Sequence, residues 1–147
     1  MTSLLRLLAC GALLFVLCIA SAGAQSVSSG DITVHYSVVP TTSLTAEIAR
    51  QYGITRSSSR ALVNIAVRRG KPGADVAVPS QVSVGATNLN GQRQQLMMRE
   101  VKEGEAIYYL GEARVSGQET LNFEVEVRIA GRAEPIRAVF RQEFFPK

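Results

Sequence analysis

The chain has 147 residues, a formal net charge of +4 and no tryptophan. The charge is mild and forms no concentrated basic stretch, which argues against a nucleic-acid-binding protein. Its only cysteines, Cys10 and Cys18, lie near the N-terminus, so the rest of the chain must fold without disulfides and offers no cysteine ligand to a metal.

The first 24 residues have the features of a signal peptide. A weakly basic start precedes an apolar run from Leu7 to Ala20, and small residues then end in the Ala22-Gly23-Ala24 pattern of a cleavage site. The run has 14 residues, whereas a membrane-spanning helix needs roughly 20. The sequence therefore predicts an exported, periplasmic protein that is cleaved after Ala24 and has no transmembrane anchor in its mature form.

The segment after this cleavage site begins with a predicted flexible leader. Residues 25–30 are small and polar, and residues 31–147 have the length of a single domain. Apolar residues then alternate with polar ones from Ile32 to Val38. This two-residue period predicts a half-buried strand.

A short helix is predicted after this strand. Leu44, Ile48 and Tyr52 recur at a spacing of four, as on one face of a helix. Ser43 is the predicted N-cap and Gly53 the predicted C-terminal stop. Such a short helix depends on packing against the rest of the domain.

The remaining elements are predicted to be strands separated by turns such as Asn90-Gly91. They fall at residues 61–67, 76–86, 92–101, 105–115, 121–129 and 136–144. Seven or eight strands at roughly ten-residue spacing are typical of an antiparallel β-sandwich of the immunoglobulin or fibronectin type, so the predicted fold class is mainly β. A small β-barrel is the alternative, because strict alternation also fits a closed sheet.

Catalytic or metal-binding chemistry would depend on His35, the single histidine. A hydrolase triad needs an imidazole, and zinc needs three or four Cys, His or carboxylate ligands. His35 lies between Thr33 and Ser37 on the polar face of its predicted strand, and no G-x-S-x-G turn presents a serine. No catalytic residue, cofactor or metal ligand is assigned, and a small hydrolase or metal-handling protein that uses His35 is the alternative function.

Three consecutive serines lie between Arg56 and Arg60 and lead into an apolar strand that carries Asn64. Guanidinium groups, hydroxyls and free backbone N–H groups in such a loop can close around an anion, which makes Arg56, Ser58, Arg60 and Asn64 the candidate ligand contacts. The structural alternative is that the arginines bond nearby carbonyl groups and pin the loop. Because a buried amide without a partner costs about 1–3 kcal/mol, Asn64 is expected to bond a backbone group near this loop.

Two arginines near the C-terminus have a structural explanation. If residues 120–129 and 136–145 form a hairpin, Glu124 and Glu126 share its outer face with Arg137 and Arg141. Cross-strand ion pairs are therefore predicted there, each contributing about 0.2–1 kcal/mol.

The chain resembles an exported bacterial family of unknown function, DUF4426, and it does so most specifically in the Arg-x-x-x-Arg-Ala-Leu-x-Asn block from Arg56 to Asn64. Further similar segments are Val34–Val38, Glu47-Ile48-Ala49 and Tyr52-Gly53-Ile54. The resemblance covers nearly all of the chain after residue 24. It implies a periplasmic single domain with no assigned activity or cofactor.

These patterns favour a non-catalytic binding or interaction module of the cell envelope. Its partner would be another periplasmic or envelope protein, bound through a strand edge, or a small anionic group bound by the loop from Arg56 to Arg60. The polar segment from Gln92 to Val101 is the predicted edge, because its alternation is weak and edge strands can pair with an extended segment of a partner. The patterns do not determine the oligomeric state.

Overall fold

The computed structural model describes residues 25–145, so the predicted signal peptide lies outside the described residues. Ten strands, one short α-helix and a 3-10 turn make up this part of the chain. The strands are β1 (Gln25–Ser29), β2 (Ile32–Pro40), β3 (Arg60–Arg69), β4 (Val76–Ala77), β5 (Gln81–Asn88), β6 (Arg93–Gln95), β7 (Arg99–Glu103), β8 (Ala106–Arg114), β9 (Glu119–Arg128) and β10 (Ile136–Phe144). The helix α1 (Ala46–Gln51) follows the 3-10 turn Thr41–Ser43.

The strands form two antiparallel sheets. A six-stranded sheet has the order β1-β2-β3-β8-β7, with β4 paired to β3, and a four-stranded sheet has the order β10-β9-β5-β6. The predicted β-sandwich is thus confirmed, with more strands than the predicted seven or eight because residues 76–101 break into shorter pieces and residues 25–29 form a further strand. No strand pairing joins the two sheets within residues 25–145, so the closed small barrel is not the fold.

The hydrophobic core lies between the sheets and consists of alternate residues of the long strands. The rings of Phe123 and Tyr36 both stack on Phe140, at centroid distances of 5.1 and 4.5 Å. Other core residues are Ile32, Val34, Val38, Ala61, Val63, Ile65, Val67, Val84, Ala86, Tyr109, Ala113, Leu121, Val125, Val127, Ile136, Ala138 and Phe144. Burial of this apolar surface, at about 25 cal/mol per Å², is the main force that holds the sheets together.

The predicted flexible leader is wrong, because residues 25–29 form β1 and pair antiparallel with β2. Gly30 turns the chain at a φ of 63°, which glycine adopts without a steric penalty. Val27 packs against the core. The packing of Val27 and the turn at Gly30 therefore explain why this small and polar segment forms a strand.

The short helix is confirmed, but its N-cap is Thr45 rather than Ser43. The Thr45 hydroxyl accepts a hydrogen bond of 3.2 Å from the Ile48 N–H, while Ser43 belongs to the preceding 3-10 turn. Gly53 ends the helix as predicted, at a φ of 65°. Its N–H bonds the Arg50 carbonyl and the next N–H bonds the carbonyl of Ala49, which is a Schellman cap.

The predicted edge strand from Gln92 to Val101 is divided between two edges. β6 ends the four-stranded sheet, β7 ends the six-stranded sheet, and residues 96–98 cross from one to the other. Apolar and polar residues alternate poorly there, because buried Leu96 lies in the connection between the two strands and not within one strand. The Gln94 amide fixes the crossing by bonding the N–H and carbonyl of Arg114 at 2.8 and 2.9 Å, as a neighbouring strand would.

Candidate binding groove

The buried hydroxyl of Thr41 is one of the groups that hold the serine loop, residues 55–59, in place; the Ser59 carbonyl also accepts from the Val115 N–H at 2.8 Å. Thr41 is 0% exposed, and its Oγ1 donates to the Ser57 carbonyl at 3.0 Å and accepts from the Ser57 N–H at 2.9 Å. The Ser57 and Ser59 hydroxyls bond each other at 2.8 Å. The loop therefore has a defined conformation, in which the side chain of Thr41 does what a backbone partner would do.

Arg56 acts as a structural tie. Its Nη2 donates to the carbonyl of Thr42 at 3.2 Å, which links the serine loop to the 3-10 turn. This is the role that the structural alternative assigned to the arginines of this loop.

Ser58 and Arg60 line an open groove of about 410 Å³ at one end of the sandwich. The groove lies where β2 and β10 end and β3 begins. Its other lining residues are Pro40, Thr42, Ser43, Val115, Phe144 and Phe145. One guanidinium and three hydroxyl-bearing residues thus meet two aromatic side chains, although they come from three separate parts of the sequence.

The Arg60 guanidinium is only loosely paired. Its Nη1 lies 3.6 Å from Glu112 Oε1, too far for a good hydrogen bond, and its side chain is 46% exposed. An exposed pair of this kind contributes little, roughly 0–1 kcal/mol. Arg60 therefore has N–H donors that no strong bond to Glu112 occupies, although Glu112 Oε1 itself is buried and has no hydrogen-bond partner within residues 25–145.

Asn64 lies outside the groove, on the outer face of the six-stranded sheet. It is opposite Ser37 on β2 and Leu110 on β8. Its Oδ1 is buried and accepts no hydrogen bond from residues 25–145, so the bond expected between Asn64 and the loop is not formed. Of the four candidate contacts, the structure therefore brings Ser58 and Arg60 together and leaves Arg56 and Asn64 apart from them.

His35 is exposed on the same outer face, opposite Ala66 and Ser26 on the flanking strands. Within residues 25–145, no three His, Cys, Asp or Glu side chains are close enough together to hold a metal ion. Nor is any helix in that range long and apolar enough to cross a bilayer.

A clamp that the sequence did not indicate holds the helix to the sandwich. The Tyr52 hydroxyl donates to Glu103 Oε1, and the Arg99 guanidinium donates to the Tyr52 carbonyl. Burial, then the hydrogen bond and the charge of Glu103, raise the pKa of Tyr52 to about 12. These residues are about 50 positions apart in sequence, so no local pattern links them.

Alkaline pH should loosen this clamp and lower the free energy of unfolding of the wild-type protein more than that of Tyr52→Phe. The folded-state pKa is about 12 against 10.0 for an unperturbed tyrosine, so the contribution is complete below pH 10 and is lost as the pH rises toward 12. Urea unfolding of both proteins across this range measures the effect. The difference between the two proteins is the informative quantity, because effects of pH that both proteins share cancel in it. A difference that does not change with pH would contradict the clamp.

Comparison with known proteins places the whole described fold in one family. A family model described as a domain of unknown function, DUF4426, matches residues 26–147. The crystal structure of a DUF4426 protein from Pseudomonas aeruginosa PAO1 is similar, with 31% identity and a TM-score of 0.71 over 85% of this chain and 97% of that one. No curated protein matches the chain.

Two structures of FetP from uropathogenic Escherichia coli strain F11 share the fold at lower identity. A copper-bound variant has 10% identity and a TM-score of 0.60 over 85% of this chain and 97% of that one. The protein as isolated has 11% identity and a TM-score of 0.58 over 84% and 94%. At these identities the similarity to FetP shows a shared fold and nothing more. The DUF4426 family model, in contrast, matches nearly all of the described residues. The chain is a member of the DUF4426 family.

Proposed function

We propose that the protein is a non-catalytic binding domain of the bacterial cell envelope whose ligand site is the groove at Ser58 and Arg60. The observation that carries this proposal is the loosely paired guanidinium of Arg60 inside an open groove with hydroxyl neighbours. A guanidinium fork recognises carboxylate or phosphate, and charge-assisted hydrogen bonds are about twice as strong as neutral ones. The ligand class is a small anionic group, free or carried by another envelope protein.

Periplasmic location belongs to the same proposal. It is supported by the signal-peptide features of residues 1–24, with cleavage after Ala24. Mass spectrometry of the protein purified from a bacterial periplasmic extract should find Gln25 at the N-terminus. Recovery of the intact chain from the cytoplasm would contradict this part of the proposal.

Binding of inorganic phosphate and acetate, followed by the backbone amide shifts of the protein, tests the groove. We expect shifts at Ser58 and Arg60 that saturate with added anion. Arg60→Ala should weaken binding by about tenfold or more, since a hydrogen bond to a charged group contributes about 1.5–3 kcal/mol. The matched control is Arg69→Ala, because Arg69 is equally exposed and paired at 3.4 Å with Asp31, far from the groove. Equal affinities of the wild type and Arg60→Ala, or shifts that do not saturate, would overturn the proposal.

A metal-handling or hydrolytic role centred on His35 has less support. FetP is copper-bound in one structure, but at 10% identity that property cannot be carried over with the fold. The surroundings of His35 offer no specific feature that favours either chemistry. His35→Ala is accordingly expected to leave anion binding unchanged.

A further inference from the structure

β10 is an edge strand with unusual features for an edge. It pairs with β9 in unbroken register from Ile136 to Phe144, and no other element within residues 25–145 bonds its backbone. The other edge of the four-stranded sheet, β6, has only three residues. Natural proteins protect edges by short strands, proline, bulges or charged side chains, and of these devices β10 has only the charged side chains of Arg137, Arg141 and Glu143.

The outward side chains at this edge follow a symmetrical order. Alternate residues of a strand share a face, so Val139, Arg141 and Glu143 follow one another along the exposed side of β10, and exposed Phe145 comes next, one residue after the strand ends. Val139 is 73% and Phe145 65% exposed, which is high for large apolar side chains. The order is apolar, positive, negative, apolar.

When two copies of this pattern run antiparallel, apolar side chains meet apolar ones and positive side chains meet negative ones. If two copies of β10 pair antiparallel about Gln142, Arg141 faces the partner's Glu143 and Val139 faces the partner's Phe145. The two-fold axis repeats both contacts, as in an isologous dimer. Opposite charges and apolar side chains in directly opposed positions stabilise antiparallel strands, whereas like charges destabilise them.

Neighbouring registers fit less well. Pairing about Val139 would set Arg137 against the partner's Arg141, which places like charges opposite each other. Pairing about Phe140 would match Arg137 with the partner's Glu143, but it would set Val139 against a guanidinium and leave Phe145 uncovered.

We infer that β10 is a self-association edge, through which two copies of this chain join their four-stranded sheets antiparallel about Gln142. The dimer would cover the two exposed apolar side chains and pair the backbone groups that β10 leaves open between Val139 and Phe144. This inference does not depend on anion binding, although Phe145 lies both in the groove and at the edge.

Charge reversal tests the inference on the full-length protein as purified. Sedimentation equilibrium up to about 1 mM should show a dimer for the wild type, with a dissociation constant in the measurable range. Arg141→Glu and Glu143→Arg should each weaken the dimer at least about tenfold, because each sets two pairs of like charges opposite each other. The double variant Arg141→Glu/Glu143→Arg restores the complementary order and should recover the wild-type dissociation constant to within a few-fold.

Lys71→Glu is the matched control for Arg141→Glu, since it makes the same change in net charge at an exposed turn on the other sheet. It should leave dimerisation unchanged. In the wild type, amide exchange of residues 139–145 should slow as the protein concentration rises. A wild type that stays monomeric at about 1 mM, a dimer insensitive to both single reversals, or a double variant that fails to recover would each overturn the inference.

Discussion

Replacing Phe123 with alanine should lower the free energy of unfolding by about 3–5 kcal/mol. Phe123 is 0% exposed, and its ring lies 5.1 Å from that of Phe140 and 6.5 Å, edge to face, from that of Phe144. The substitution removes apolar burial and leaves a cavity that strands on both sides cannot fill without shifting. Urea unfolding followed by circular dichroism measures the change.

Phe145→Ala is the matched control for this prediction. It deletes the same ring at a position that is 65% exposed, so the change in stability should stay within about 0.5 kcal/mol. Similar losses for the two variants would show that the core is not where the structure places it.

Alternation along β9 predicted this core correctly. Leu121, Phe123, Val125 and Val127 are buried, and the intervening positions face away from the core, as the two-residue period requires. The prediction needs only the sequence of the strand itself, because a strand with one buried face alternates apolar and polar residues. The same rule failed for residues 92–101, since a segment that passes from one sheet to the other has no single buried face.

The ion pairs on the outer face of the C-terminal hairpin were only partly predictable. Glu126 pairs with Arg137 at 3.1 Å as expected, but Arg141 bonds Asn122 and Glu124 pairs with Arg93 at 3.0 Å. Arg93 comes from β6, two strands away, and its guanidinium lies over Gly85, where a Cβ would be only 2.5 Å from Nη2. Gly85 lies on β5, between β6 and β9, and leaves room for the Arg93 side chain to reach Glu124. A comparison of β9 and β10 alone cannot predict this pair.

The candidate site was half predictable for a similar reason. The serine loop and its arginines stand out in the sequence, but the partner of each is set by long-range packing. Arg56 bonds Thr42, whereas Arg60 faces a groove whose far wall is Phe144 and Phe145. Of the two alternatives drawn from the sequence, the structural tie describes Arg56, and the ligand contact is the role proposed for Arg60.

Thr41→Val should destabilise the protein and weaken the groove at the same time. Valine keeps the shape of threonine but removes both bonds to Ser57, the donor bond of 3.0 Å and the acceptor bond of 2.9 Å. The Ser57 N–H then loses its partner, which costs about 1–3 kcal/mol for a buried group, whereas the Ser57 carbonyl still accepts from the Arg60 N–H at 3.2 Å. Because these bonds help to hold the serine loop, Ser58 should also lose its fixed position beside Arg60, and phosphate should bind more weakly.

Thr41→Ser separates the hydroxyl from the methyl group. Serine keeps both hydrogen bonds and loses only one buried methyl, so its stability should fall by about 1 kcal/mol and its affinity for phosphate should be unchanged. Urea unfolding, amide exchange at Ser57 and phosphate titration of both variants check the prediction. A valine variant that is as stable as the serine variant and keeps the Ser57 amide protected would mean that the loop is held by contacts other than Thr41. The shape of the groove would then not depend on the buried Thr41 hydroxyl, which links the end of β2 to the loop before β3.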